Sequence, residues 1–136
     1  MQSTQTSQRV ENDTATILAL ERAALDRWGR GDPSGFLEIS APDVVYFDNI
    51  VERRLDGLEA LTAFYQELCG EIHVDRYELV YPKVHHCGEA AVLTYNYVGY
   101  ANGKDYHWNC TEVYRATPAG WRIIQTHWSV TGAATS

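Results

Sequence analysis

The sequence contains no stretch close to the roughly 20 consecutive apolar residues that a membrane helix requires. Its first residues, MQSTQTSQRVENDT, also have no apolar segment of the kind found in a secretory signal. We therefore expect a cytoplasmic protein that does not enter a membrane. Basic residues are scarce: the chain has 11 Lys and Arg against 18 Asp and Glu, which gives a formal net charge of −7. An acidic chain without a basic cluster repels phosphate backbones, so nucleic acid is not an expected partner.

Cysteine is limited to three residues, Cys69, Cys87 and Cys110. An odd number without a C-x-x-C spacing predicts reduced thiols and no cysteine-bound metal. The histidines do not form a ligand set either, because His85 and His86 are adjacent and point to opposite faces of a strand, while His107 and His127 have no acid at ligand spacing. We expect no metal and no other cofactor. Cys110 is open to two interpretations, a nucleophile or a small apolar filler.

The chain does have the composition of a folded protein. Of its 136 residues, 45% are hydrophobic and 12% aromatic, with four Trp and nine Tyr. A chain of this length can bury a core without disulfide or metal staples. The polar start and the small residues at the end predict tails at residues 1–12 and 132–136, around a single domain at residues 13–131.

Three helices are predicted in the first half. Residues 13–28 carry apolar side chains at three- and four-residue steps, at Ile17, Leu20, Ala24 and Trp28. A short second helix is expected from an Asp32 cap and Pro33 to Ile39. A third is expected after an Asp56 cap, with Glu59 at capping-box spacing and Gly70 after its end.

Strands dominate the rest of the chain. DVVYFD (43–48) is β-branched and aromatic, and VERRL (51–55) is a short partner for it. From residue 73 onward, alternating segments and turn signals such as Asn102-Gly103 predict four antiparallel strands, at about 74–86, 89–101, 104–116 and 120–131. Helices segregated ahead of a meander indicate an α+β fold whose curved antiparallel sheet wraps around the helices.

The stretch HWNCTEVYR (107–115) places a single acid, Glu112, on the same strand face as Trp108 and Cys110. A carboxylate in apolar surroundings disfavours its charged form, which predicts a raised pKa and a role as acid or hydrogen-bond donor. The alternative is an acid at a pocket mouth that pairs with Arg115 or Arg122.

The register of the last hairpin decides the neighbours of Glu112. A three-residue loop at 117–119 predicts three opposed pairs: Trp108 with Trp128, Cys110 with Thr126, and Glu112 with Ile124. A two-residue loop would shift the pairing by one and bring His127 or Gln125 to the side of Glu112.

The other face of this sheet is expected to carry half-apolar groups, namely Tyr95, Tyr97, Asn109, Thr111, Gln125 and His127. An exposed face of this composition predicts a homodimer that forms through the outer side of the sheet.

Three segments carry a resemblance to a known family: VVYFD after the second helix, DGLEALTAFY at the third, and CTEVYRATPAGWRIIQTHWS near the end. Over nearly all of residues 13–131 the chain resembles the SnoaL-like, ketosteroid-isomerase-like family of the nuclear transport factor superfamily. The likeness is clearest for bacterial members of unassigned function related to the calcium/calmodulin-dependent protein kinase association domain. It implies a cystatin-like cone, a curved, antiparallel (mixed) sheet around three N-terminal helices, and pairing of subunits through the sheet.

In ketosteroid isomerase, a carboxylate at the end of the first long strand moves the substrate proton, and a protonated Asp on a later strand helps a Tyr to stabilise the oxyanion. The resemblance places Asp48 in YFDNI at the first position and Glu112 in CTEVY at the second. The position of that Tyr on the first helix is Ala24 here, so the full oxyanion device is not retained. Asp48 is a candidate base, and it could equally cap the following turn.

The kinase association domain implies a different pocket, at Thr62, Asn96, Glu112 and Trp128. Three arginine positions of that family are Asn, Glu and Trp in this chain. A pocket that has lost its cations implies a neutral, aromatic or cationic ligand.

Six candidate residues for substrate binding are Tyr46, Thr62, Tyr65, Asn96, Trp108 and Trp128. Trp108 and Trp128 could stack on a flat ligand or belong to the core. Tyr65 could point its hydroxyl into the cavity or toward solvent.

Two functions from different classes are therefore open. The first is a cofactor-independent acid/base enzyme of the isomerase, dehydratase, cyclase or hydrolase type, which acts on a hydrophobic small molecule with Asp48 as base and Glu112 as neutral acid. The second is a non-catalytic module that dimerises or binds a ligand.

Overall fold

The computed structural model describes residues 2–131, with side chains from residue 7 onward. The elements are α1 (Gln2–Gly29), α2 (Ser34–Glu38), β1 (Ser40–Phe47), β2 (Leu55–Asp56), α3 (Leu58–Leu68), β3 (Arg76–Cys87), β4 (Ala90–Ala101), β5 (Lys104–Thr117) and β6 (Gly120–Val130). The predicted order of three helices and a C-terminal meander is confirmed. The tail expected at 132–136 lies outside the described residues.

The first helix begins eleven residues earlier than predicted. Residues 2–12, expected to be a tail, continue α1 because neither Gly nor Pro interrupts the chain before Gly29. Asp13 is therefore an interior helix residue. One turn of α1 is tied to the sheet, since Thr14 Oγ1 lies 2.9 Å from His86 Nε2 on β3.

The two short helices begin as their local chemistry requires, with two corrections. Pro33, and not Asp32 as predicted, is the N-cap residue of α2, and Asp32 Oδ1 accepts the Ser34 N–H at 3.0 Å just before the helix. Asp56, however, does not cap α3. It lies in β2 and pairs with Arg54, and Gly57 at φ +92° makes the turn into the helix instead.

The six strands form one mixed sheet in the order β2-β1-β6-β5-β4-β3. Within residues 2–131, β1 and β6 are the one parallel pair of strands, with Phe47 next to His127. Asp48, which follows Phe47, and Trp128, which follows His127, therefore lie at the same end of the sheet. Helices cover the inner face of the sheet, and the core lies between the two layers.

The predicted pairing of the last hairpin is wrong by two residues, although the faces are right. The loop has two residues, because Thr117 pairs with Gly120, and a bulge between Val113 and Tyr114 adds a further shift. Glu112 consequently lies opposite Thr126, and Cys110 opposite Trp128. The two shifts together keep Trp108, Cys110 and Glu112 on the expected face, since a slip of two returns a strand to the same side. The bulge, however, turns Ile123 inward in place of Ile124.

The faces of β4 are the reverse of those expected. Tyr95 and Tyr97 were placed on the outer face, but they pair with Cys110 and Trp108 and are buried on the inner face. Asn96, between them, is exposed on the outer face. Strand alternation leaves no other arrangement, because the two tyrosines bury far more apolar surface than the asparagine.

Candidate active site: a cavity and a buried acid pair

A cavity of about 260 Å³ lies between the inner face of the sheet and the helices. We call it the central cavity. Eight of its 17 lining residues are aromatic: Trp28, Phe36, Tyr46, Tyr65, Tyr97, Tyr106, Trp108 and Trp128. Two further residues of the wall are polar: Asp48 carries a carboxylate and His73 an imidazole. A ligand in this cavity would therefore lie among aromatic rings and meet few polar groups.

Asp48 is held at the cavity by three hydrogen bonds. It follows the last residue of β1, where the chain turns away from the sheet. Its Oδ1 accepts the backbone N–H groups of Ile50 and Val51 at 2.7 and 2.8 Å, and its Oδ2 accepts the Tyr46 hydroxyl at 2.7 Å. Asp48 thus caps the following turn and lines the cavity at the same time. The three donors fix the orientation of the carboxylate.

Glu112 is fully buried on β5 but is not among the residues that line the cavity. Its Oε1 accepts a hydrogen bond from Thr126, and its Oε2 has no partner among the described residues. The ion pair considered for Glu112 is not formed, since Arg115 pairs with Asp43. Burial, and then the neighbouring charge of Glu21, raises the pKa of Glu112 well above its ordinary value. Burial therefore favours the neutral, protonated form of Glu112.

A second buried acid, Glu21 on α1, lies next to Glu112 and was not predicted from the sequence. It is fully buried, and its two carboxylate oxygens accept the hydroxyls of Tyr114 and Tyr95, both at 2.6 Å. Burial raises the pKa of Glu21, while its hydrogen bonds act in the opposite direction. We call Glu21 and Glu112 the acid pair. Because oxygens of the two carboxylates lie within 4.8 Å of each other in a dry site, ionisation of one opposes ionisation of the other and favours retention of a proton.

Cys110 completes this cluster. Donor atoms of Glu21, Cys110 and Glu112 lie within 4.8 Å of one another, a spacing that suits a metal ion. However, burial raises the pKa of all three groups, and the charges of the two glutamates raise that of Cys110 further. The cluster therefore retains protons, whereas a divalent cation needs deprotonated ligands. Cys110 stays a protonated thiol, the state of an apolar filler and not of an activated nucleophile.

Tyr65 connects the acid pair with the central cavity. It lies on α3, is 2% exposed and lines the cavity wall. Burial and then the charge of Glu112 raise its pKa well above the ordinary value, so the phenol keeps its proton. Its ring packs at 87° against that of Tyr46, with centroids 5.6 Å apart. Tyr65 is thus a residue of the cavity wall whose hydroxyl keeps its proton.

The structure brings five of the eight predicted site residues to one cavity: Tyr46, Asp48, Tyr65, Trp108 and Trp128. Glu112 lies behind the wall. Two others are elsewhere, because Thr62 hydrogen-bonds to Leu58 within α3 and Asn96 hydrogen-bonds to Asn109 on the outer face. His127 also lies on the outer face, against Phe47.

A curved mixed sheet packed on three helices, with a small aromatic cavity between them, defines a class of cone-shaped α+β domains. Residues 22–125 match the SnoaL-like domain, and the chain belongs to this family. The resemblance inferred from the sequence is thereby confirmed. No curated protein gives a significant match.

Solved structures support the same assignment. A candidate ketosteroid isomerase from Parabacteroides distasonis is 40% identical, with a TM-score of 0.79 over 88% of each chain. A candidate dehydratase of the NTF2-like family from Streptomyces avermitilis is 17% identical, with a TM-score of 0.74 over 90% of this chain and 99% of that one. The association domain of C. elegans CaMKII is 18% identical, with a TM-score of 0.72 over 88% and 97%. The last two likenesses establish the shared cone fold alone.

No helix in the described part of the chain is both long enough and apolar enough to span a membrane.

Proposed function

We propose that the protein is a cofactor-independent acid/base enzyme that binds a small hydrophobic molecule in the central cavity. The observation that carries this proposal is that Asp48 and Tyr65 line the same apolar cavity. Removal of a proton next to a carbonyl group requires a positioned base and a donor for the developing oxyanion. The names of the Parabacteroides and Streptomyces relatives, isomerase and dehydratase, agree with this class of reaction.

Asp48 is the base in this proposal. A carboxylate has roughly four positions that can accept hydrogen bonds, and three of those on Asp48 are occupied. The remaining position is available for a substrate proton. The fixed orientation favours transfer, because a base must be held close to the proton that it removes.

Tyr65 is the donor, and Glu112 acts through it as a positioning residue. A neutral carboxyl behind the cavity wall avoids a second negative charge next to the developing oxyanion, which would oppose its formation. The role that ketosteroid isomerase gives to a Tyr on its first helix would thus pass to Tyr65 on the third helix. Ala24 is buried against α2, where its backbone would contact any side chain at Gly35.

The proposal is tested by exchange of α-hydrogens with deuterium, followed by NMR on a compact aromatic ketone such as 2-tetralone. We expect the protein to accelerate exchange above the buffer rate and the Asp48→Asn variant to lower the accelerated rate at least about 100-fold. Tyr65→Phe should lower the rate as well, because it removes only the hydroxyl.

The matched control is Asp43→Asn, on the same strand but paired with Arg115 at the surface. It should keep the wild-type exchange rate. An Asp48→Asn protein that is folded by circular dichroism and exchanges at the wild-type rate would refute the assignment of the base.

A second function, a dimerisation module, is favoured by the uncovered outer face of the sheet. There Phe47 is 36% exposed and packs on His127, with ring centroids 5.2 Å apart. Beside them runs a ladder in which Asn96 bonds to Asn109, and Asn109 to Ser129. The neighbour named as a hub from S. rosetta has the same fold, with a TM-score of 0.69. We propose that two copies pair through this face, with or without catalysis.

Phe47→Glu is expected to convert a dimer into a monomer, because it buries a charge at the centre of the proposed interface. Analytical ultracentrifugation at micromolar concentration measures the change. Tyr81→Glu is the control, since Tyr81 is 89% exposed on β3 at the opposite edge of the sheet. A wild-type protein that is monomeric, or a Phe47→Glu protein that stays dimeric, contradicts this interface.

A further inference from the structure

The central cavity combines ring faces with a single fixed negative charge. Of the residues that line it in the described part of the chain, none is Lys or Arg. Asp48 supplies the anion, and the other ionisable group that is not a phenol, His73, is turned to Asp75, whose Oδ1 accepts the hydrogen bond from its Nε2 at 2.6 Å. The potential inside such a cavity favours positive charge and disfavours negative charge.

Neighbouring aromatic rings of the cavity are perpendicular to one another and not stacked. Trp128 stands at 87° to Tyr97 and at 86° to Trp108, with centroids 5.6 and 6.3 Å apart. On the other side of the cavity, Tyr46 and Tyr65 are also perpendicular. Rings in these different orientations line the same half-open cavity, so a ligand there lies close to several of them. A cation within about 6 Å of a ring centroid, over its face, is attracted by the electron density of that ring.

The hydrogen bonds that Asp48 already accepts favour a cation with few N–H donors. Tyr46, Ile50 and Val51 already occupy most of its accepting positions. What Asp48 offers a ligand is chiefly its charge, which suits an alkylated ammonium group that has few or no N–H donors. The volume of about 260 Å³ lies below the roughly 300–1,000 Å³ of pockets for drug-sized ligands, so the ligand must be compact.

We infer that the central cavity binds a compact organic cation, an alkylated amine or quaternary ammonium group with a short apolar or aromatic body. This inference rests on the ligand-binding part of the proposed function and not on proton transfer. It names the substrate class as one with a positive centre held between the aromatic walls and Asp48.

The test uses two pairs of probes that have the same shape and differ in charge. Choline is compared with 3,3-dimethylbutan-1-ol, and phenyltrimethylammonium with tert-butylbenzene. Binding is followed by tryptophan fluorescence, because three of the four Trp residues line the cavity. We expect at least one cation to bind about tenfold or more tighter than its neutral partner.

Variants then assign the site. Asp48→Asn should weaken binding of the cation about tenfold and leave the neutral partner unchanged, whereas Trp128→Leu should weaken both. Trp121→Leu, at the start of β6 and outside the cavity, is the control and should change neither.

The possible failures are distinguishable. If the neutral probes bind as tightly as the cations, and Asp48→Asn has no effect, the cation inference is overturned and the proposed hydrophobic site remains. If no probe of either pair binds at millimolar concentration, the inference is also overturned. Loss of deuterium exchange in Asp48→Asn, measured separately, decides the catalytic proposal independently of these results.

Discussion

Raising the pH from about 5 to about 8 is expected to lower the free energy of unfolding, because the acid pair keeps a proton that the unfolded chain releases. The sign follows from the pKa values. Burial raises the pKa of Glu21 and of Glu112 in the folded protein, whereas an unfolded Glu ionises near pH 4.3. Stability is therefore complete below about pH 4.3 and declines as the pH rises toward the raised pKa values. The slope is about 1.4 kcal/mol per pH unit for each retained proton.

Exposed acids act in the opposite direction and in a different pH range. Their ion pairs with arginine lower the pKa of four carboxylates, Asp32, Glu38, Asp43 and Asp56. The stability that they contribute is lost only as the pH falls below about 4. The decline above about pH 5 therefore belongs to the acid pair.

Glu112→Gln isolates this effect in urea unfolding measured at several pH values. The amide is neutral at every pH, and it can still accept the Thr126 hydroxyl. The variant should show a flatter profile and exceed the wild type in stability at the alkaline end. Glu59→Gln makes the same change at an exposed position of α3 and should keep the wild-type profile. Equal slopes for the wild type and Glu112→Gln would show that Glu112 carries no proton.

Glu21→Ala is expected to cost about 3–5 kcal/mol of stability, the largest loss from a single substitution that we predict. It leaves the hydroxyls of Tyr95 and Tyr114 buried without an acceptor, and each such group costs about 1–3 kcal/mol. The removed side chain also leaves a void in the core. Glu21→Gln should cost less, because its one carbonyl oxygen can still accept a hydrogen bond.

A mutant cycle separates the stability lost through the unsatisfied hydroxyls from the stability lost through the void. Adding Tyr95→Phe and Tyr114→Phe to Glu21→Ala removes the orphaned hydroxyls and should restore part of the lost stability. The same two substitutions in the wild type should be destabilising, since they remove donors from a buried carboxylate. If Glu21→Ala costs less than about 1 kcal/mol, or the Phe substitutions do not restore stability, the network does not have the energetic role assigned to it.

The sequence predicted the fold because helix and strand periodicities are local. The three-to-four spacing of Ile17, Ala24 and Trp28 sets the buried face of α1, and the alternation of HWNCTEVYR sets that of β5. The same spacing contained the missing acid, since Glu21 lies four residues after Ile17 and three before Ala24. A charged residue within an apolar stripe is a signal of a buried functional group, and it was overlooked.

The parts of the site that were not predicted depend on contacts between distant segments. The neighbours of Glu112 depend on a bulge near Tyr114 that has no Gly or Pro signal in the sequence. The reversed faces of β4 carried Asn96 away from the cavity, although the alternation Tyr95-Asn96-Tyr97 could have shown which side was buried. Asp48, in contrast, follows the first long strand directly, so its place beside the cavity depends on β1 alone.

The central claim is that two acids have different roles: Asp48 faces the ligand as the base, and a neutral Glu112 lies behind Tyr65. The most direct measurement is the ¹³C chemical shift of the side-chain carboxyl carbons in protein labelled only at Glu, with Glu112→Gln to assign the signal. We predict that the Glu112 resonance lies at the position of a protonated carboxylic acid at pH 7. A Glu112 resonance that titrates with the exposed glutamates near pH 4.3 would contradict the account.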